Sequence, residues 1–339
     1  MLSVGIDYHK KFSYGTIMDE KGKIIKQGMM QNSLTGVSKF INGSKGKEEI
    51  RAVMEATRNW TLMYDWLEEV TDDVKLAHPL KVKAIAEAKI KTDKIDSVTL
   101  AHLLRCNLLP EAYVASKPAR DVRQVLRQRM FFVRVQTMLK NRIRGIIDKH
   151  PEAGNPPYEE VFGKAGIEWL KKAGFPETER KIIDEDLALL KTVKEQIEKS
   201  DKSVEEIGKK DLRVKYLSSI PGIGTFFSVL LCYEIDDINR FRTDKKLHAY
   251  AGLVPSTYAS GNKVFHGHIT KQGNKYIRWA MIEAVWPAIR SDIELRTHYE
   301  KLKIKKGANC AKVATAKRLL TIVYRVLKEE RYYKVHRLP

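Results

Sequence analysis

The chain predicts an α/β domain followed by a mainly helical remainder, and three observations carry that expectation. Residues 1–110 alternate short apolar, strand-like runs with helical patterns. The middle third holds two long helical periodicities, and the last third closes in a basic helix from Lys312 to Lys328.

"LSVGIDYHK" (2–10) reads as a short strand, and "FSYGTIMDEKGKIIKQGMM" (12–30) as a hairpin turning at Lys21-Gly22-Lys23. "SLTGVSKFINGS" (33–44) reads as a helix with a glycine exit. "EEIRAVMEAT" (48–57) is a strand, "WTLMYDWLEEV" (60–70) a helix and "VKLAHP" (74–79) a further strand. A β-meander followed by α/β alternation suits a ribonuclease-H-like sheet flanked by helices. Pro110 and Pro118 bracket its exit.

Beyond Val122 the apolar positions are Val125, Phe132, Leu139, Ile143 and Ile146, interrupted by Arg129 and Gln136. A second run places Ile183, Leu187, Leu190, Ile197, Val204 and Ile207 at near-heptad spacing, broken by Lys194 and Asp201. A helical hairpin within one subunit and a coiled-coil arm used for dimerisation both fit. The expected organisation is 1–112, 113–211 and 212–339, with no internal repeat and no low-complexity segment.

Charge narrows the function. The 339 residues carry 62 Lys+Arg against 42 Asp+Glu, a net charge of +20 spread along the whole chain. That balance favours a polyanionic partner, above all nucleic acid. Cys106, Cys232 and Cys310 lie far apart and make no zinc spacing, which predicts a reducing compartment. No signal-peptide pattern opens the sequence and no apolar stretch approaches a membrane span, so a cytoplasmic protein without a membrane partner is expected.

Four acids stand out. Asp7 lies in the first strand and Glu55 ends the strand "IRAVME"; an acid there is costly unless paired or bound to metal. Asp93 and Asp96, in "KTDKIDS", share one face of a helix turn at i and i+3. In a ribonuclease-H-like sheet these positions converge on one edge and suit two Mg²⁺ ions about 3.5–4 Å apart, an arrangement that cuts phosphodiesters. Oxygen ligands with no competing His/Cys cluster argue for Mg²⁺ over zinc. Taken singly, Asp93 reads as a helix N-cap with Asp96 at the third position, Asp7 as a strand-end turn residue and Glu55 as a solvated one. A Gly-Ile-Asp strand also opens sugar kinases and actin-like ATPases, but Tyr8-His9-Lys10 replaces the glycine turn that would cradle phosphate.

In the last third, "IPGIG" (220–224) reads as a helix-hairpin-helix-like turn, with Gly222 and Gly224 allowing close approach to a phosphate; a simple αα turn fits as well. "PSTYASGNKVFHGHITKQGNKYIR" (255–278) is punctuated by glycines and carries Lys263, Lys271, Lys275 and Arg278 as nucleic-acid candidates. Ser260 precedes Gly261 in an expected tight turn that exposes its hydroxyl. His266 and His268 are near, but no hydrolase elbow accompanies them.

In order, "GIDYHK", "VMEATRNW", "KTDKIDS", "IPGIG", "AGLVPSTYASG" and "GHITKQGNKYIR" resemble the DEDD-type transposases of the insertion-sequence family one hundred and ten, relatives of the pilin-gene DNA invertases. The resemblance covers nearly the whole chain. It implies a RuvC-like, Holliday-resolvase-like first domain whose Asp7, Glu55, Asp93 and Asp96 bind Mg²⁺, and a C-terminal transposase domain. Its serine nucleophile falls on Ser260, with Ala259 where members often have a first serine and Ser256 as the fallback. It further implies a phosphoserine intermediate, a site assembled from two protomers of a homodimer or homotetramer, and a structured noncoding bridge RNA that specifies donor and target DNA. Two other readings stay open: a metal-dependent junction nuclease with a structural Ser260, and a non-catalytic nucleic-acid scaffold.

Overall fold

The computed structural model describes every residue except 43–47, 58, 87–91, 155, 157–159, 261–262 and 337–339, and the backbone alone at 258–260, 263, 264 and 266. The chain forms two compact units, Met1–Val114 and Ala115–Pro339.

The first unit is a five-stranded sheet with helices. Its elements are β1 (Leu2–Tyr8), β2 (Phe12–Met18), β3 (Ile24–Gln31), α1 (Leu34–Asn42), β4 (Ile50–Glu55), α2 (Trp60–Val70), β5 (Asp73–Ala77), α3 (Pro79–Ile85) and α4 (Asp93–Arg105). The sheet order is β3-β2-β1-β4-β5. β1, β2 and β3 form the antiparallel meander, and β4 and β5 extend it in parallel with β1. The hairpin turn holds Gly22 at φ +84, the left-handed conformation that favours glycine. Every expected strand and helix of residues 1–79 is present.

β1 is buried from Leu2 to Ile6, so it reads as a continuous apolar run rather than an alternation. Gly5 sits directly under α4. A Cβ on it would lie 2.1 Å from the Ser97 carbonyl oxygen and 2.5 Å from the Ala101 nitrogen. Thr16, opposite Gly5 in the register, reaches the Ser97 hydroxyl at 2.8 Å. The glycine therefore lets a helix cross a strand at backbone contact.

The second unit holds α5 (Lys117–Ile147), α6 (Lys164–Lys172), α7 (Glu177–Lys210), α8 (Leu212–Ser218), α9 (Thr225–Ile235), α10 (Asp244–Tyr250), the hairpin β6 (Pro255–Ser260) and β7 (Lys263–Ile269), α11 (Lys275–Ser291), α12 (Ile293–Lys306) and α13 (Ala308–Lys328). The long helices α5 and α7 pack against each other within the chain, burying Leu139, Ile143, Ile183 and Leu190. Their seam breakers find partners: Arg129 donates to Asp201 at 2.8 Å and stacks on Phe226, and Lys194 reaches the Phe162 carbonyl. Near its base, Leu126, Met130 and Val204 join a larger core made by α9, α11 and α13.

A buried carboxylate ties this unit together. Glu234 of α9 has 2% of its side chain exposed. It receives Arg127 at 3.3 Å, faces Arg123 at 3.5 Å and accepts the Asn274 amide at 2.8 Å. Asn274 also caps α11 by accepting the backbone N–H groups of Tyr276 and Ile277.

Candidate active site

The first unit gathers its acids at the C-terminal end of β1. Side chains two apart on a strand share a face, so Asp7 points to the same side as Gly5, the side on which α4 lies. β1 and β4 run parallel and in register up to Ile6 and Met54, and Asp7 and Glu55 each follow the last residue of this pairing in their strand. α4 then delivers Asp93 and Asp96 in its first turn.

The cap of α4 is Thr92, whose hydroxyl accepts the Ile95 N–H at 3.2 Å. Asp93 is the first helical residue and Asp96 the fourth. The N-cap reading of Asp93 is thereby corrected: a threonine does that work. Lys91 lies outside the described residues.

Asp7, His9 and Asp93 form one compact donor group, with one ligand atom from each all within 4.8 Å of one another. His9 Nε2 stands 3.2 Å from Asp7 Oδ2 and 3.2 Å from Asp93 Oδ1. The Asn32 amide donates to the His9 carbonyl at 2.6 Å, and Asn32 in turn accepts from the Ser13 hydroxyl, which fixes the turn carrying the imidazole. Burial raises the Asp7 carboxyl above the usual aspartate range; His9 opposes the shift, and the charges of Asp96 and Asp93 add to it. A half-buried carboxylate crowded by two others is a position that a cation would stabilise.

The donor set fits a divalent metal: carboxylate oxygens suit Mg²⁺, Ca²⁺ and Mn²⁺, and imidazole is a common partner for the transition metals among these groups. The premise that no histidine competes at the acidic cluster is corrected by His9. Its sequence signal was spacing alone: His9 follows Asp7 at i+2, the same-face interval of a strand. Glu55 and Asp96 belong to the same edge but stand outside the three-donor group.

Ser260 belongs to the second unit. It is the last residue of β6 and pairs across the hairpin with Lys263, the first of β7. Gly261, the expected turn residue, lies outside the described residues. The Ser256 hydroxyl is engaged within the hairpin: it donates to the His268 carbonyl at 3.1 Å, and a Cβ on Gly267 would sit 2.5 Å from it.

The expected phosphate-facing residues fall into two kinds. Lys271 and Lys275 are exposed, Lys271 in a left-handed conformation at φ 53. Arg278 instead donates to the Ala251 carbonyl at 2.8 Å, and burial lowers its pKa. In "IPGIG", Gly222 turns at φ +84 with its Cα against α11, where a Cβ would meet the Ala284 carbonyl oxygen at 2.4 Å. Gly224 caps α9 and has open space around it. Packing alone therefore accounts for Gly222, whereas Gly224 leaves room for a ligand.

Comparison with known proteins agrees with this layout. Residues 4–150 match a DEDD transposase profile of the IS110 type, and residues 214–300 match the profile described as Transposase IS116/IS110/IS902 family. The chain belongs to the IS110/IS116 transposase family. Among its relatives is the transposase for insertion sequence element IS1111A of Coxiella burnetii, 23% identical over 98% of this chain and 91% of that protein. A probable family 20 transposase of Pseudomonas aeruginosa is 25% identical over 79% of this chain and 81% of its own length. A putative transposase of Sinorhizobium fredii, y4qE, is 22% identical over 84% and 70% respectively. The family implies DNA transposition by strand transfer, and its DEDD domain suggests use of a divalent metal. Among the described residues no helix is long and apolar enough to cross a membrane.

Proposed function

We propose that this transposase cuts and rejoins DNA through a phosphoserine intermediate on Ser260, with Mg²⁺ held by Asp7, Glu55, Asp93 and Asp96 on a RuvC-like domain and His9 added as a nitrogen ligand. The observation that carries the reading is the Asp7–His9–Asp93 donor group at the end of β1. When bound, the metal supplies a Lewis acid that lowers the pKa of an attacking hydroxyl and offsets charge on the phosphate.

The residues divide the work. Asp7 and Asp93 anchor the cation, Asp96 and Glu55 complete the charge at the same edge, and Asn32 holds His9 in place. Ser260 Oγ gives up its proton and bonds to phosphorus; the ester oxygen of the departing strand takes a proton and leaves. Attack by a strand hydroxyl later reverses this, freeing Oγ and conserving the phosphodiester, so no nucleotide hydrolysis is needed. The engagement of Ser256 with the His268 carbonyl favours Ser260 as nucleophile.

The reading extends to the partners the family resemblance implies: donor and target DNA, a structured guide RNA, and a homodimer or homotetramer in which the serine of one protomer meets the acidic edge of another. Phe131 and Met138, 51% and 62% exposed one heptad apart on α5, supply an apolar strip for such assembly. Three segments would then divide the labour: 1–112 for metal, 113–211 for assembly and 212–339 for the serine.

The test is a covalent adduct. RNA co-purifying with the protein is sequenced, and the complex is mixed with element-end DNA and Mg²⁺. A denaturant-resistant protein–DNA species is expected in the wild type and absent from Ser260→Ala. An adduct that persists in Ser260→Ala overturns the nucleophile assignment. Co-purifying RNA with no common structured species overturns the guide.

A further inference from the structure

We propose that a basic cleft in the second unit, remote in sequence from the serine hairpin, is a separate site for a nucleic-acid phosphodiester backbone. The inference rests on nucleic acid being the partner, but on no step of the strand chemistry. The cleft has a volume of about 770 Å³ and is walled by α10, the start of α12, α13 and the segment that follows α13.

α13 contributes Lys317, Thr321 and Arg325, which repeat at i, i+4 and i+8 and so share one face. Lys245 of α10 and Lys334 of the C-terminal segment complete the cationic walls. Among the described residues, these four cations have no carboxylate at ion-pair distance, whereas Arg318 pairs with Glu294 and Arg331 with Glu329. The one other acid in the cleft is already engaged: Asp244 accepts from the Thr321 hydroxyl at 3.0 Å. Thr321, having given its only proton, accepts from His248 Nε2 at 3.0 Å.

Solvated lysines are ordinary on an exposed face. Here Lys317 is half-buried beside His248, which is 3% exposed. Burial pushes His248 down to about 4, with Asp244 opposing and Lys317 adding to the shift. His298, on the α12 wall, is lowered by burial and then by the Arg318 charge. His248 and His298 are therefore held toward the neutral form, and the cleft's charge rests on cations without a carboxylate partner among the described residues.

The floor is firm. Tyr333 donates its hydroxyl to Asp292 at 2.9 Å and its N–H to Ser219 at 2.7 Å, and the Ile293 N–H reaches the His336 carbonyl at 2.9 Å. These bonds hold Lys334 in place and leave Tyr332 59% exposed at the rim, where a ring face can stack on a base. Lys317 and Arg325 are about 12 Å apart along the helix axis, the rise of roughly three to four nucleotides of one duplex strand. A single phosphate cannot span that stripe; a repeating backbone can.

The experiment measures binding by fluorescence anisotropy from about 0.05 to 0.3 M salt, in EDTA so that no chemistry occurs. Full-length wild type, Lys317→Ala/Arg325→Ala and a charge-matched control, Lys181→Ala/Lys191→Ala, are each tested with duplex DNA, single-stranded DNA and a structured RNA. The cleft variant is expected to lose about 10–100-fold in affinity in at least one arm, which identifies the nucleic acid. Its log–log salt slope should fall by about 1.4–1.8, the loss of two phosphate contacts. Equal losses in cleft variant and control, or unchanged slopes in every arm, overturn the site while leaving the catalytic reading intact. A wild type that binds none of the three nucleic acids overturns both.

Discussion

Asp7 and Glu234 are both acids taken largely out of water, one in each unit, and the protein treats them in opposite ways. Glu234 is met by Arg123, Arg127 and the Asn274 amide, so both of its oxygens are satisfied from within the chain. Asp7 is raised first by burial and further by the charges of Asp96 and Asp93, and among the described residues the His9 imidazole is what opposes the shift. A buried acid with resident cations is architecture. An acid crowded by other acids is a site waiting for a foreign cation. Residue type does not distinguish the two; the sign of the neighbours does.

The sharpest break of this contrast is to neutralise each acid. Asp7→Asn is expected to lower strand transfer by at least a thousand-fold, because several kcal/mol of charge stabilisation go with the metal. Metal-free folding stability should hold or rise, since a carboxylate is removed from beside two others. Activity assays paired with urea unfolding check both halves. Retained strand transfer in Asp7→Asn would place the acidic edge with Glu234, as architecture.

Glu234→Ala should do the reverse. Two arginines lose their buried partner and Asn274 its acceptor, at a cost of about 3–5 kcal/mol in the second unit. Glu234→Gln keeps the volume and one acceptor and should cost less, about 1–3 kcal/mol. Mn²⁺ binding at the first unit, read by electron paramagnetic resonance, is expected to be unchanged in any folded fraction. A stable Glu234→Ala would mean that the network contributes little and the comparison is misdrawn.

Gly5→Ala probes how the acidic edge is held. The added carbon meets the backbone of α4 at Ser97, so the helix must lift from β1. A loss of about 1–3 kcal/mol is expected from overpacking. Mn²⁺ affinity should fall with it, because Asp93 and Asp96 travel on the same helix. Lost stability with unchanged metal affinity would show that the acids are positioned by the turn at His9 rather than by α4.

Much of this was legible in the sequence, and the gaps have physical causes. The strands and helices of residues 1–79 follow from period and turn chemistry, which are local. The meeting of Asp7 and Asp93 at the end of β1 required only the order of elements. His9 escaped because a residue past a strand end reads as turn, although its i+2 spacing from Asp7 was visible. Thr92 escaped because Ile95, rather than Glu or Gln, stands three residues on, so the threonine makes no capping box. Gly5 and Gly222 were read as marks of a motif, whereas each is a place where two backbones touch, a fact belonging to the tertiary fold. The partners of Glu234 come from α5 and from the N-cap of α11, and no local pattern joins them.

The smallest effect tests whether the same rule governs exposed charge. Arg129 and Asp201 interrupt the apolar seams of α5 and α7, and neither interruption is interpretable alone. In the structure they are one pair at 2.8 Å, with side chains 22% and 40% exposed. A pair that open to solvent is worth about 0–1 kcal/mol. Arg129 adds stacking on Phe226 at 4.4 Å, about 0.5–1 kcal/mol at a site of this kind. Arg129→Ala should therefore cost more than Asp201→Ala, with a coupling between them of under about 1 kcal/mol by double-mutant cycle in urea. Arg129→Leu/Asp201→Leu restores the apolar seam and should leave stability unchanged or raised, since a charge pair exchanged for apolar packing is often no loss. A coupling several times larger would make this pair a second Glu234, and would assign the breaks in the seam to fixing how α5 and α7 align.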